Sequence, residues 1–285
     1  MGRYWRCWAA FFSFVMKHSL VLVLATGLVL LAARATGQPV PLGRAASLLV
    51  ITHVNVVDVV EGEVLPDRMV VVRDGCIESI GTHAPGGGAV LRLDGSGKYL
   101  MPGLWDTHVQ APPIAALEQE LLAQLVKRGI TSIRYYGVPA GRPALLATMR
   151  ALEAGTQVGP RVVWASDEPG PAGPYPFHPG RLLDELTALA ATGRTPTQVL
   201  QAATVDPAAA AGYRYTLGQV APDFRADLLL LDANPLDDIR SLRQVRAVVL
   251  RGRVFDRAAL EALKARGPAA AVLVKAKPAP GIRTR

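Results

Sequence analysis

Hydrophobic positions change their period along the chain, and the changes divide it into segments. From Leu48 the run LLVITHVNVVDV is dense in β-branched residues, and DRMVVVRDGCIESIG sets two such runs on either side of Asp74-Gly75. Branched side chains favour extended backbone, and an Asp-Gly pair suits a two-residue hairpin turn, so this stretch predicts strands joined by a turn. Val90 to Leu93 reads as a further short strand, ahead of the Gly/Ser turn at Asp94 to Gly97.

A helical period then takes over. Leu117, Leu121, Leu122 and Leu125 share one face of a helix predicted from Ile114 to Arg128 and stopped by Gly129. ITSIRYYG, from Ile130 to Gly137, reads as a strand, Arg142 to Ala154 as a helix ending at Gly155, and Arg161 to Ala165 as a third strand. DEPGPAGPYPFHPG carries too many turn residues to be anything but loop. Helices resume at Arg181 to Ala191 and at Pro196 to Ala203, the second with the cap signal Thr195-Pro196. This alternation from Leu104 to Ala203 implies parallel βα units.

Strand texture returns in ADLLLLD, Ala226 to Asp232, and in VRAVVLRGRVF, Val245 to Phe255, before a closing helix from Arg257 to Arg266. The Pro-containing tail from Lys275 reads as disordered. Separated β segments therefore flank a βα middle.

Composition changes this picture little. With 285 residues, half of them apolar, the chain has the makeup of a globular protein. The net charge of +8 is spread along the sequence. Arg243, Arg246, Arg251, Arg253 and Arg257 approach a cluster, but they alternate with valines and read as the solvated face of a strand and helix. No nucleic-acid partner is expected. Cys7 and Cys76 are far apart, and no disulfide framework is expected.

Charge matters more at the N-terminus. Ser19 to Ala33 is an apolar run, preceded by Arg3, Arg6 and Lys17 and followed by Ala33-Arg34-Ala35, the layout of a secretory signal cleaved after Ala35. The expectation is an exported protein, periplasmic or extracellular. Trp8 to Met16 is also apolar, so membrane association through residues 8–33 is the alternative.

The order of β segment, GKYLMPGLWDTHVQ, βα units and second β segment resembles the amidohydrolase family, particularly its imidazolonepropionase-like and dipeptidase-like members. LGQVAPDFRADLLLLDANPLDDI is similar to that family's C-terminal β segment, departing at Asp223, where the family usually has glycine. The resemblance implies an α/β fold: a partial (β/α) TIM-type barrel plus a composite β-sandwich domain formed from both ends of the chain. The implied division is a signal or anchor at 1–35, a linker at 36–47, the sandwich at 48–100 and 214–256, a shortened barrel at 101–213, and a C-terminal helix and tail at 257–285. A full eight-unit barrel needs about 200–250 residues, more than the middle of this chain supplies.

The resemblance also implies a divalent metal, zinc above others, and an amide or dipeptide substrate. The family ends its first barrel strand in His-x-His, since residues two apart on a strand point the same way. Here the pair is His108 and Gln110, and a neutral amide oxygen is a weak zinc ligand. Asp167, in SDEPGPAGPYPFHPGRLLDEL, resembles the family's last-strand aspartate, the metal ligand and general base. His108 and Asp167 are thus the candidate metal ligands and Asp167 the candidate catalytic residue; His178 reads as a surface-loop histidine. A barrel too short to close leaves strand edges open, which favours self-association or a partner chain. The alternative is a non-catalytic β-domain left by an internal deletion.

Overall fold

The computed structural model describes residues 47–82, 90–110, 119–136, 142–165 and 180–263. The export segment, nearly all of the linker, Asp167, His178 and the tail lie outside these described residues.

Eight strands from both ends of the sequence form one hydrogen-bonded sheet. The first part supplies β1 (Leu48–Asp58), β2 (Glu63–Arg73), β3 (Cys76–Gly81), β4 (Val90–Asp94) and β5 (Tyr99–Pro102). The last part supplies β9 (Leu228–Leu231), β10 (Val245–Leu250) and β11 (Arg253–Asp256). The order is β11-β10-β9-β5-β1-β2-β3, with β4 on β1.

The sequence reading missed β5, and it ran β10 and β11 together because the turn between them begins with an arginine. Leu250 pairs with Arg253, leaving Arg251 (φ 51) and Gly252 (φ 74) as a two-residue turn. It matches the expected Asp74 (φ 48) and Gly75 (φ 79) turn between β2 and β3. The two turns touch: a Cβ on Gly252 would lie 2.7 Å from Gly75 Cα.

Two sandwiched sheets were expected, whereas hydrogen bonds run continuously through all eight strands. β1 makes this possible by bending at His53 (φ 53), where its register with β2 shifts. Before the bend β1 pairs with β4; beyond it, with β5. The far edge nearly meets itself, because Cys76 on β3 bridges to Arg225, just ahead of β9. Asp223 enters this crossing with φ 70, a conformation that glycine adopts freely and aspartate tolerates. The departure from the family's glycine is thus a backbone-compatible one. Cys76 is disulfide-bonded.

Alternation splits the sheet's side chains between two cores. Leu49, Ile51, Leu100, Leu228, Leu230 and Val249 pack inside the sheet's concave face. Met101, Leu229, Leu231, Val248 and Phe255 face the helices. Strands buried on both faces read as unbroken apolar runs, which is why Leu228 to Leu231 is four leucines.

The middle of the chain forms a separate parallel sheet, β6 (Leu104–Gln110), β7 (Ile130–Tyr136) and β8 (Arg161–Trp164), in that order. Helices α1 (Gln119–Lys127), α2 (Arg142–Glu153) and α3 (Arg181–Ala191) follow these strands in turn. α4 (Pro196–Ala203) starts at a Thr195 capping box, as expected. α5 (Val205–Ala210), not anticipated, comes directly after it, and α6 (Arg257–Ala262) closes the described chain. Among the described residues the parallel sheet has three strands and no closed barrel. One residue, Gly103, links the two sheets, its N–H donating to Asp227 O at 2.8 Å.

Candidate functional site at the strand ends

Ligands in parallel α/β sheets bind at the carboxyl ends of the strands, and His108 stands at that end of β6. The register of β6 with β7 shifts between Asp106 and Val109, so the strand is irregular where the motif lies. Asp106 is buried, and its Oδ1 accepts the His108 N–H at 3.0 Å. Arg181, the first residue of α3, donates from Nη2 to His108 O at 2.8 Å and lies 3.5 Å from Asp106 Oδ1. Its Nη1 pairs with Glu185 Oε1 at 3.2 Å. A guanidinium thus ties the end of β6 to α3.

The His108 side chain is exposed, with Nδ1 3.1 Å from Thr107 Oγ1. Its ring stacks on Tyr136, centroids 6.3 Å apart, and Arg134 lies over the same tyrosine at 5.4 Å. Deeper on the sheet the inner face is filled. Trp105 is buried against Ala208, Leu217 and Tyr213, so α5 and the turn after it cover this part of β6.

Sequence reasoning foresaw His108 at a strand end. It missed Asp106, Arg134, Tyr136 and Arg181. Asp106 carried a usable signal, since it sits two residues before His108 on the same strand; Arg181 carried none, because its partner is 73 positions away.

Among the described residues the donor set does not fit a family-type metal centre. Among the described residues no group of three His, Cys, Asp or Glu side chains could hold a metal ion. Gln110 stands where the second imidazole belongs, and Asp106 is engaged by Arg181. His108 alone supplies one imidazole, against the four protein ligands of a structural zinc site or three of a catalytic one. Asp167, the other expected ligand, lies outside the described residues.

A buried ion network joins the parallel sheet to the β-domain. Arg161 of β8 reaches Asp227 Oδ2 at 3.2 Å and Glu153 Oε1 at 2.6 Å, while Asp227 Oδ1 accepts the Arg251 N–H at 2.7 Å. Burial works against charge on Arg161, but Asp227 and Glu153 outweigh it and hold its pKa above the ordinary value. For Arg251 burial prevails and the value falls.

Asp227 belongs to the Ala-Asp-Leu of the C-terminal β segment, and comparison with known proteins identifies that region. The amidohydrolase family model matches residues 175–255. This segment is similar to the amidohydrolase family. Among solved structures, a prolidase from Bifidobacterium longum superposes with TM-score 0.62 at 17% identity, over 76% of this chain and 98% of that one. Molinate hydrolase gives 0.65 at 11% identity, over 84% and 99%. A Xaa-Pro dipeptidase with bound methionine gives 0.59 at 12% identity, over 74% and 100%. At these identities the likeness concerns the fold: a mixed α/β chain similar to amidohydrolase structures, without a closed barrel among its described residues. No curated protein matches the sequence.

Proposed function

We propose that this chain descends from metal-dependent hydrolases of carbon–nitrogen bonds other than ordinary peptide bonds, or of dipeptides. In its present form the described part of a shortened TIM-type barrel no longer carries the metal chemistry. The composite β-domain, a sandwich-like sheet drawn from both chain ends, then acts as a binding or assembly module on an exported or membrane-anchored protein.

The observation that carries this reading is the end of β6. There His108 faces solvent with Gln110 two residues on, and the cation beside Asp106 is the Arg181 guanidinium. The family match at residues 175–255 and the dipeptidase and hydrolase folds support the descent.

Native mass spectrometry after loading with Zn²⁺ and exchange into metal-free buffer, alongside assays on Xaa-Pro dipeptides, tests it. The expected result is a folded species with no retained metal and no hydrolysis above background. One metal per chain, lost in His108→Ala, together with turnover, overturns it. That outcome establishes the second reading, favoured by the exposed His108 ring, in which Asp167 and a partner copy complete the ligand set.

A further inference from the structure

Away from the strand ends, a groove lies between β4 and the far end of the large sheet, with β10, β11 and α6 along its other side. Its volume of about 620 Å³ is room for a length of polypeptide, since a single water takes only about 30 Å³. Arg92, Leu93 and Asp94, three successive residues of β4, all line it. Successive side chains of a strand point to opposite faces, so a groove that touches all three runs along the edge of β4. That edge is open among the described residues, where β4 pairs with β1 alone. An open edge presents N–H and C=O groups to any chain laid beside it.

The charges of the groove cancel: Arg92, Arg246 and Arg257 stand against Asp94, Asp256 and Glu261. A charged segment of either sign would meet as many like charges as opposite ones. Leu93 and Ala247 add an apolar part to the lining. The fitting occupant is therefore an extended segment without charge.

The sequence places one beside the groove. α6 forms a wall through Arg257, Ala258 and Glu261, and Leu263 is the last described residue. Beyond residues 264–268 the chain reads Ala269-Ala270-Ala271-Val272-Leu273-Val274, six residues without a charge, before Lys275. Gly267-Pro268 stops the helical period, and the valines that follow suit extended backbone. The five intervening residues span about 17 Å when extended, against about 9 Å of helix from Leu263 back to Arg257. A short apolar stretch near a terminus is ordinarily solvated and poorly ordered; here it follows directly on a neutral groove with an open strand edge.

We propose that residues 269–274 dock in this groove as a strand along the edge of β4, so that the chain covers its own sheet edge. Main-chain hydrogen bonds to the edge hold such a strand, and its small uncharged side chains suit the balanced lining. The proposal goes beyond the reading of the β-domain as a binding module and does not depend on it.

Hydrogen–deuterium exchange of the full chain, read by mass spectrometry, tests it. Amides of residues 270–274 are expected to exchange at least about tenfold more slowly than in a free peptide of that sequence, as hydrogen-bonded amides do. Neighbouring residues on a strand send their N–H groups to opposite sides, so Val272→Pro/Leu273→Pro removes a donor toward β4 in either register. This variant should lose the protection of residues 270–274 and speed exchange at residues 90–94, while the parallel sheet exchanges as in wild type. Wild-type amides at 270–274 that exchange like the free peptide overturn the proposal and mark a solvated tail. So do protected amides there with unchanged exchange at residues 90–94 in the variant, which put the segment elsewhere. Protection that falls on dilution also overturns it, marking pairing with a second copy.

Discussion

Arg161 Nη2 donates to Asp227 Oδ2 across 3.2 Å, and this contact joins the last strand of the parallel sheet to the first residues of the returning β segment. Side-chain exposures of 7% and 1% place the pair beyond solvent screening. Breaking one half leaves a buried charge uncompensated, at a cost of about 3–5 kcal/mol. Arg161→Met should lower the urea midpoint accordingly. Adding Asp227→Asn, which keeps an acceptor for Arg251 N–H but removes the charge, should recover a large part of the loss. Equal midpoints for Arg161→Met and wild type would contradict the assignment.

Gly252→Ala should destabilise by about 2 kcal/mol or more. A side chain at φ 74 costs roughly 1–2 kcal/mol, and its Cβ would stand 2.7 Å from backbone Cα of Gly75, which cannot swing aside. Overpacking adds a further increment of about 1–3 kcal/mol. Thermal unfolding reads the difference.

At Asp94 the Ser96 hydroxyl and N–H favour the carboxylate and lower its pKa from 3.8. Because the folded value is depressed, the associated stability is present above the unfolded value and disappears as pH falls through the folded one. NMR titration should place Asp94 below 3.8, and Ser96→Ala should raise it toward that value. A Ser96→Ala titration that matches wild type would remove the hydroxyl from the explanation.

Gln110→His, restoring the His-x-His spacing, should still retain no zinc on exchange into metal-free buffer. Two imidazoles fall short of a zinc site, and Asp106 is engaged by Arg181. Elemental analysis of the exchanged protein measures this. Stoichiometric zinc would show that the strand end needs one ligand and no more.

Most strands were legible because the evidence for them is local. Val70 to Val72 and Leu228 to Leu231 are apolar runs, Ile130 to Ile133 follows the helix stop at Gly129, and Asp74-Gly75 announced its hairpin. Arg251-Gly252 adopts the same turn but hid it, since arginine at positive φ is rare and the flanking valines read as one strand. α5 was obscured by Pro207, which sits in its first turn, where a missing N–H does no harm. At the candidate site, His108 was visible through its motif, whereas Arg181 and Asp106 meet across 75 positions. No periodicity encodes such a contact; it exists because Arg181, at the start of α3, reaches the end of β6.

Gly103, donating to Asp227 O beside the pairing of Pro102 with Leu228, also has a meaning for chain length. At this point the polypeptide leaves the large sheet and comes back to it within one hydrogen bond. For that sheet, the chain from Leu104 to Pro222 is an excursion, after which Asp223 to Ala226 rejoin it at β3 and its turn. For a flexible loop, closing an excursion twice as long costs only about 0.6 kcal/mol more. Closure entropy alone therefore sets little limit on how many βα units hang from the sheet; the units that pack on Leu229, Leu231 and Phe255, or that supply Arg161, stabilise it as well.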